Sequence, residues 1–321
     1  MKLLFSALLC LANLAHSAET HFAPLDLQGQ TFSHDPSTIQ KDYGRFYSYA
    51  TGPGILTKSS LDLIHWENGK SVFAATPAWT TNFVAQINNA IWAPDLVRVS
   101  GKFFLYYSYS TMGKQTSVIG LAISPTLDST ATNYGWQDSG PVIASTPAKP
   151  FNTIDPSAFL DADGKLWLAF GSYWRGIFLT ELNPQTGLCL TTNPPQQLAW
   201  NHSIEASCLT RHGKFYYLFV NWGQCCQGTN STYEVRLGRA EKITGPYRDR
   251  DGNDLATGGG SPFLASAGKF IGPGHIGIVD DGATNDVTRF SYHYYDAKTH
   301  GRSRLAIGKI DWSDGWPVAV N

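Results

Sequence analysis

The chain has 321 residues, with 24 Lys and Arg against 25 Asp and Glu, and a formal charge of −1. A balance this even, without any basic run, excludes the electrostatic footprint of a nucleic-acid binder and a polybasic membrane patch. Charged residues make up 15% and aromatics 13%, a bias that suits a β-rich core or side chains that lie flat on sugar rings.

The first element is a targeting segment. Lys2 precedes an apolar run, Leu3 to Ala15, interrupted only by Ser6 and Asn13, and Ala15-His16-Ser17 follows with small residues at the cleavage positions. The run is too short to span a bilayer. Residues 1–18 therefore read as a signal peptide cut near 17–19, and the mature chain, 19–321, as one secreted, extracellular domain. Cys10 leaves with the peptide, so Cys189, Cys208, Cys225 and Cys226 remain in an oxidising compartment. Four cysteines allow three pairings. The adjacent Cys225-Cys226 either closes on itself or pairs elsewhere. Asn201 and Asn230 head N-glycosylation triplets.

Beyond the leader the chain reads as strand after strand. Arg45 to Tyr49, Lys102 to Tyr109, Leu166 to Phe170, Lys214 to Val220 and Arg289 to Tyr295 are short aromatic or β-branched runs. Asp163-Gly164 and His212-Gly213 have hairpin-turn chemistry. No long apolar stripe at helical period is present, which argues against a parallel sheet with crossover helices.

Five segments repeat a polar opening followed by a strand, a turn and a second strand: Asp35-Pro36-Ser37, Pro94-Asp95-Leu96, Asp155-Pro156-Ser157, Glu205-Ala206-Ser207 and His275-Ile276-Gly277. They lie 60, 60, 50 and 70 residues apart, each interval enough for one four-stranded blade. Ile55 to Ser59, Ile119 to Ser124, Val235 to Ala240 and Arg304 to Lys309 recur as third strands. The fold expected is all-β: a five-bladed β-propeller of four-stranded antiparallel blades around a central channel. Its first strands line the channel, so the opening residues converge at one end of the axis.

Three acids then share one site: Asp35, Asp155 and Glu205. Carboxylates gathered at a channel mouth repel one another, which makes a purely structural role hard to defend. Glycoside hydrolysis uses such a set, because it needs one protonated and one ionised carboxyl across the scissile bond. Asp95 opens the second unit and reads as structural.

The ordered motifs His34-Asp35-Pro36-Ser37, Trp92-Ala93-Pro94-Asp95, Ile154-Asp155-Pro156-Ser157, Ile204-Glu205-Ala206-Ser207 and Gly272-Pro273-Gly274-His275 resemble glycoside hydrolase family 43. Gly171-Ser172-Tyr173-Trp174 and Asn221 to Cys226 are most similar to its fungal endo-1,5-α-L-arabinanases. The resemblance implies an inverting glycosidase acting on arabinan and arabino-oligosaccharides, with Asp35 as general base, Glu205 as general acid and Asp155 raising the pKa of Glu205. The base and acid should then stand roughly 6.5–9.5 Å apart. It further implies that His275 holds a single calcium ion at the centre, largely through water, with no organic cofactor. His34, beside the base, is expected to hydrogen-bond the sugar, and Trp92 and Trp174 to stack on it. A monomer is expected, with no nucleic-acid or membrane partner. Exo action, α-L-arabinofuranosidase or β-xylosidase activity, and a sugar-binding propeller without turnover stay open as alternatives.

Overall fold

The computed structural model describes residues 22–85, 89–190, 193–280 and 288–321, so the segment 1–18 assigned to export lies outside the described residues. Regular structure among the described residues is almost entirely β, with four short 3-10 turns.

Apart from the two-residue strands Gln28–Gly29 and Gly52–Pro53, the described strands fall into five antiparallel runs of four. The first comprises Ile39–Asp42, Arg45–Ala50, Leu56–Ser60 and His65–Asn68. The second comprises Ala90–Val99, Lys102–Tyr109, Ser117–Ser124 and Gln137–Ser145. The third holds Ser157–Leu160, Leu166–Phe170, Ile177–Leu182 and Gln196–Ala199. The fourth holds Ile204–His212, Phe215–Trp222, Glu234–Ala240 and Ser261–Leu264. Phe270–Asp280, Thr288–Asp296, Arg302–Asp311 and Val318–Val320 form the fifth. Every run anticipated from the sequence lands on a strand, and the four recurring segments are third strands of their runs. The first and fifth runs fuse into one sheet, because Val279 and Asp280 pair in parallel with Ile39 and Gln40, and Gln28–Gly29 at the edge of the first run brings it to nine strands.

Antiparallel strands here are apolar on both faces, since each run is covered on two sides. Five hydrophobic clusters fill the gaps between consecutive runs. Tyr49 packs with Leu105 and Tyr107, and Phe104 and Leu121 with Leu168 and Phe170. Ile177 and Leu179 meet Leu209 and Leu218, while Phe219 and Leu237 meet Phe290 and Tyr292. The fifth cluster joins Ile39 and Trp66 of the first run to Leu305 and Ile307 of the last. Packing therefore proceeds in cyclic order and returns to its start. The anticipated hairpins carry glycine where the turn needs positive φ, with Gly164 at 83° and Gly213 at 57°.

One backbone device recurs at each run's opening. Asp35, Ala93, Asp155, Ala206 and His275 all sit in the left-handed region, with φ of 50°, 42°, 56°, 53° and 57°. A non-glycine residue there costs free energy and persists only when its surroundings hold it. In three runs the same place breaks the strand register, between Trp92 and Asp95, Glu205 and Cys208, and Gly274 and Gly277. This alignment corrects the sequence repeat. Glu205 does not match Asp35; it lies one residue earlier, in phase with His34, Trp92 and Ile154. Asp95 lies two residues later, in phase with Ser37 and Ser157.

Candidate active site

The shift of phase decides which side chains reach the cleft. A cleft of about 730 Å3 opens at this end of the molecule, and His34, Trp92, Ile154 and Glu205 line it from the position before the left-handed residue. Asp35 and Asp155 line it from the left-handed position itself, and Trp174 stands on its rim, 41% exposed. All three predicted acids and all three predicted sugar contacts are thus brought to one cavity. His275 is buried beneath it, with Nδ1 3.5 Å from Asp35 Oδ1.

Asp35 is held by several polar groups. Its Oδ2 accepts from Thr51 Oγ1 at 2.6 Å and pairs with His34 Nδ1 at 2.8 Å. Its N–H donates to His293 Nδ1 at 3.1 Å, and that nitrogen lies 3.6 Å from Oδ1. Burial alone would push this carboxyl up. The charges of His34 and His275, the His34 hydrogen bond and the charge of His293 outweigh it and hold Asp35 well below the usual carboxylate range. Asp35 is ionised at every working pH.

Glu205 has the opposite environment. Burial raises it to about 7; the Tyr233 hydroxyl, which donates to Oε1, opposes the shift, the negative charge of Asp35 adds to it, and His34 offsets part. Burial also pushes Tyr233 well up, with Glu205 adding, so it remains a phenol that donates. Asp155 is raised well above its ordinary value, by burial first and then by the charges of Glu205 and Asp35. Two buried carboxyls that feel each other do not both ionise, so Asp155 and Glu205 titrate as a pair. Asp155 also fixes its neighbour's backbone: its Oδ2 accepts the N–H of Ala206, next to Glu205, at 3.0 Å, while its own N–H donates to Ser108 Oγ at 3.0 Å.

Asp95 faces away from this chemistry. Its two oxygens accept the N–H groups of Thr38 at 2.9 Å and Ala158 at 2.8 Å, tying the first run to the third. Burial raises it to about 6, against those hydrogen bonds. The structural reading of Asp95 fits this arrangement.

Sequence reasoning missed Thr51, Tyr233, His293 and Tyr295. Three of these lie in or beside aromatic strands and look like core; only the pairing geometry turns them toward the acids. His293 is fully buried, pushed well below its ordinary pKa by that burial, and its Nε2 finds no partner. Cysteine pairing, left open by the sequence, resolves to a Cys225–Cys226 disulfide on the cleft wall, with Cys189 and Cys208 free.

The donors around His275 bear on the expected ion. Burial lowers His275 from its ordinary value, with the charge of Asp35 opposing that shift. Calcium prefers oxygen, however, and the cluster beside it is imidazole-rich: His34, Asp35 and His293. This set fits an ion held mainly through water and does not fit a protein cage.

A family model described as glycosyl hydrolases family 43 matches residues 29–317. The extracellular endo-α-(1→5)-L-arabinanase 1 of Bacillus subtilis is 39% identical over 88% of this chain and 86% of its own. The extracellular exo-α-(1→5)-L-arabinofuranosidase ArbA of Cellvibrio japonicus is 34% identical over 97% and 90%. Among solved structures, Cellvibrio cellulosa α-L-arabinanase in complex with arabinohexaose superposes with a TM-score of 0.85 at 33% identity, covering 91% of this chain and 96% of that one.

Proposed function

The chain belongs to glycosyl hydrolases family 43 and is a glycosidase, and from that premise we propose that it cleaves the internal α-1,5 bonds of arabinan with inversion. The observation that carries this reading is the division between two carboxyls of one cleft, Asp35 held far down and Glu205 held at about 7. Glycoside hydrolysis requires that division in single and double displacement alike, and inversion is what the family resemblance adds. Asp35 takes the proton of a water on one face of the sugar. Glu205 gives its proton to the leaving oxygen on the other. Asp155 acts through Glu205, by holding the Ala206 N–H and by sharing the pair's proton.

His34, Trp92 and Trp174 contact the sugar in this reading, supported by their place in the cleft lining. A calcium ion under Asp35, held by His275 and water, would supply fixed positive charge that favours the ionised base. The fold we infer is a five-bladed propeller, supported by the five antiparallel runs and the cyclic order of their five hydrophobic clusters. Secretion is supported by the leader-like residues 1–18 and by the extracellular naming of both relatives.

The relative named as an exo enzyme favours a second reading, release of short products from chain ends. A time course on debranched arabinan decides between them: a ladder of oligomers supports endo action, and one short product overturns it. Proton NMR of the first product anomer tests inversion. Glu205→Gln is expected to bind oligosaccharide without cleaving it, and unchanged product release would refute the role given to Glu205.

A further inference from the structure

The adjacent cysteines are left unused by this chemistry, yet they sit on the wall of the same cleft. They lie in the connection between the strands Phe215–Trp222 and Glu234–Ala240. A bond between neighbouring side chains closes a small ring that includes the peptide itself, which removes most of the backbone freedom of both residues. Cys226 is held there at φ 67°, a left-handed conformation that an open chain would rarely keep.

That conformation has a target. The Cys226 N–H donates to Tyr295 Oη at 2.7 Å. Tyr295 Oη lies 2.8 Å from His34 Nε2, and His34 Nδ1 lies 2.8 Å from Asp35 Oδ2. Whether His34 is neutral with its proton on Nδ1 or doubly protonated, the nitrogen facing Asp35 is a donor. One chain of polar contacts thus runs from the ring to the carboxylate. The ring also touches the middle of that chain directly, with Cys226 Sγ 3.7 Å from His34 Nε2. His34 is wedged from the far side by His293, whose ring stacks on it at 4.2 Å.

We propose that the Cys225–Cys226 disulfide is a positioning element of the hydrolytic site, locking the Cys226 N–H onto Tyr295 so that His34 stays seated against Asp35. The inference rests on the reading of Asp35 as the general base. It makes Cys226, Tyr295 and His34 one unit, in which the ring supplies rigidity and touches no proton of the reaction. A small misplacement of a base is costly to the chemical step while leaving binding of the rest of the sugar chain in place.

The test compares four proteins on a linear arabino-oligosaccharide, with kcat, KM and thermal midpoint measured for each: the wild type as isolated, the wild type reduced by a phosphine, the double variant Cys225→Ala/Cys226→Ala, and Tyr295→Phe. Alkylation followed by intact mass shows whether the ring is open in the reduced sample. Reduction, the double variant and Tyr295→Phe are each expected to lower kcat about tenfold with KM within about twofold. Phosphine should leave the double variant unchanged. If the double variant melts early, the reduced wild type and Tyr295→Phe carry the test; if the ring resists reduction, the two variants do. An unchanged kcat in an opened ring or in a folded variant overturns the proposal. A wild type without activity on arabinan fails the functional reading first, which keeps the two failures apart.

Discussion

Asp35 and Asp95 begin as near twins, each beside a proline at the opening of a run, and end in opposite trades. Asp35 occupies the left-handed position, reaches the cleft and meets hydroxyl and imidazole groups. Asp95 comes two residues past that position and accepts the backbone N–H groups of Thr38 and Ala158, with the Thr38 side chain adding a hydrogen bond. One is driven far down and stays ionised; the other is raised to about 6. Residue type and neighbourhood in sequence are almost the same, so the phase relative to the bulge sets the role. A bulge re-aims side chains, and a shift of two residues exchanges cleft for hub.

The contrast is broken most directly by exchanging outcomes. Asp35→Asn is expected to lower kcat by about 10³-fold, the scale of removing a general base, in the fraction that stays folded. Steady-state kinetics alongside calorimetry checks it, and an early melt with normal kcat would place Asp35 among the structural acids. Asp95→Ala should do the reverse. Leaving two buried N–H groups without acceptors costs about 3 kcal/mol in urea unfolding at pH 5, with kcat of the folded fraction preserved.

The pH dependence sharpens the same contrast. In the proposed mechanism Asp35 is ionised and Glu205 protonated, so kcat/KM should fall as pH rises through about 7, while no acid limb from Asp35 appears in the working range. For stability the sign follows Asp95. Its folded value of about 6 exceeds the ordinary 3.8, so the stability it lends is full below the latter and is lost as pH rises through the former. Unfolding midpoints from pH 4 to 7 should show that slope in the wild type and a flatter one in Asp95→Asn. The smallest effect expected is from Tyr233→Phe. Losing a hydrogen bond worth about 1 kcal/mol moves the alkaline limb of kcat/KM upward by about 0.7 unit, and a downward move would sink the assignment of that limb to Glu205.

Much of this architecture was legible because strands announce themselves. Aromatic and β-branched runs separated by Asp-Gly and His-Gly turns located the strand pairs, and the recurrence of polar openings brought three distant acids together. What the repeat could not convey was phase. Side chains on both faces of these strands are apolar, so no alternation marks which residue faces the axis, and Glu205 and Asp95 were each aligned off by a step or two. Tyr233, His293 and Tyr295 were hidden for a related reason. An aromatic or histidine in an aromatic strand reads as core until cross-strand geometry puts it beside a carboxylate. The disulfide was undetermined for lack of distance information, since adjacency in sequence neither requires nor forbids a ring.

The parallel junction between Ile39–Gln40 and Val279–Asp280 has a consequence for synthesis. The residues that seat the base, His293 and Tyr295, lie 258 and 261 positions beyond their partners Asp35 and His34. Contacts so remote in the chain form late and slow the search for the native state. A nascent chain carries all three carboxylates long before it carries the strand that brings His293 to Asp35 and Tyr295 to His34. A chain stopped before residue 288 would hold every acid of the site and none of that seating. Turnover is therefore a report that the last run has docked on the first, which allows refolding to be followed through substrate as well as through fluorescence.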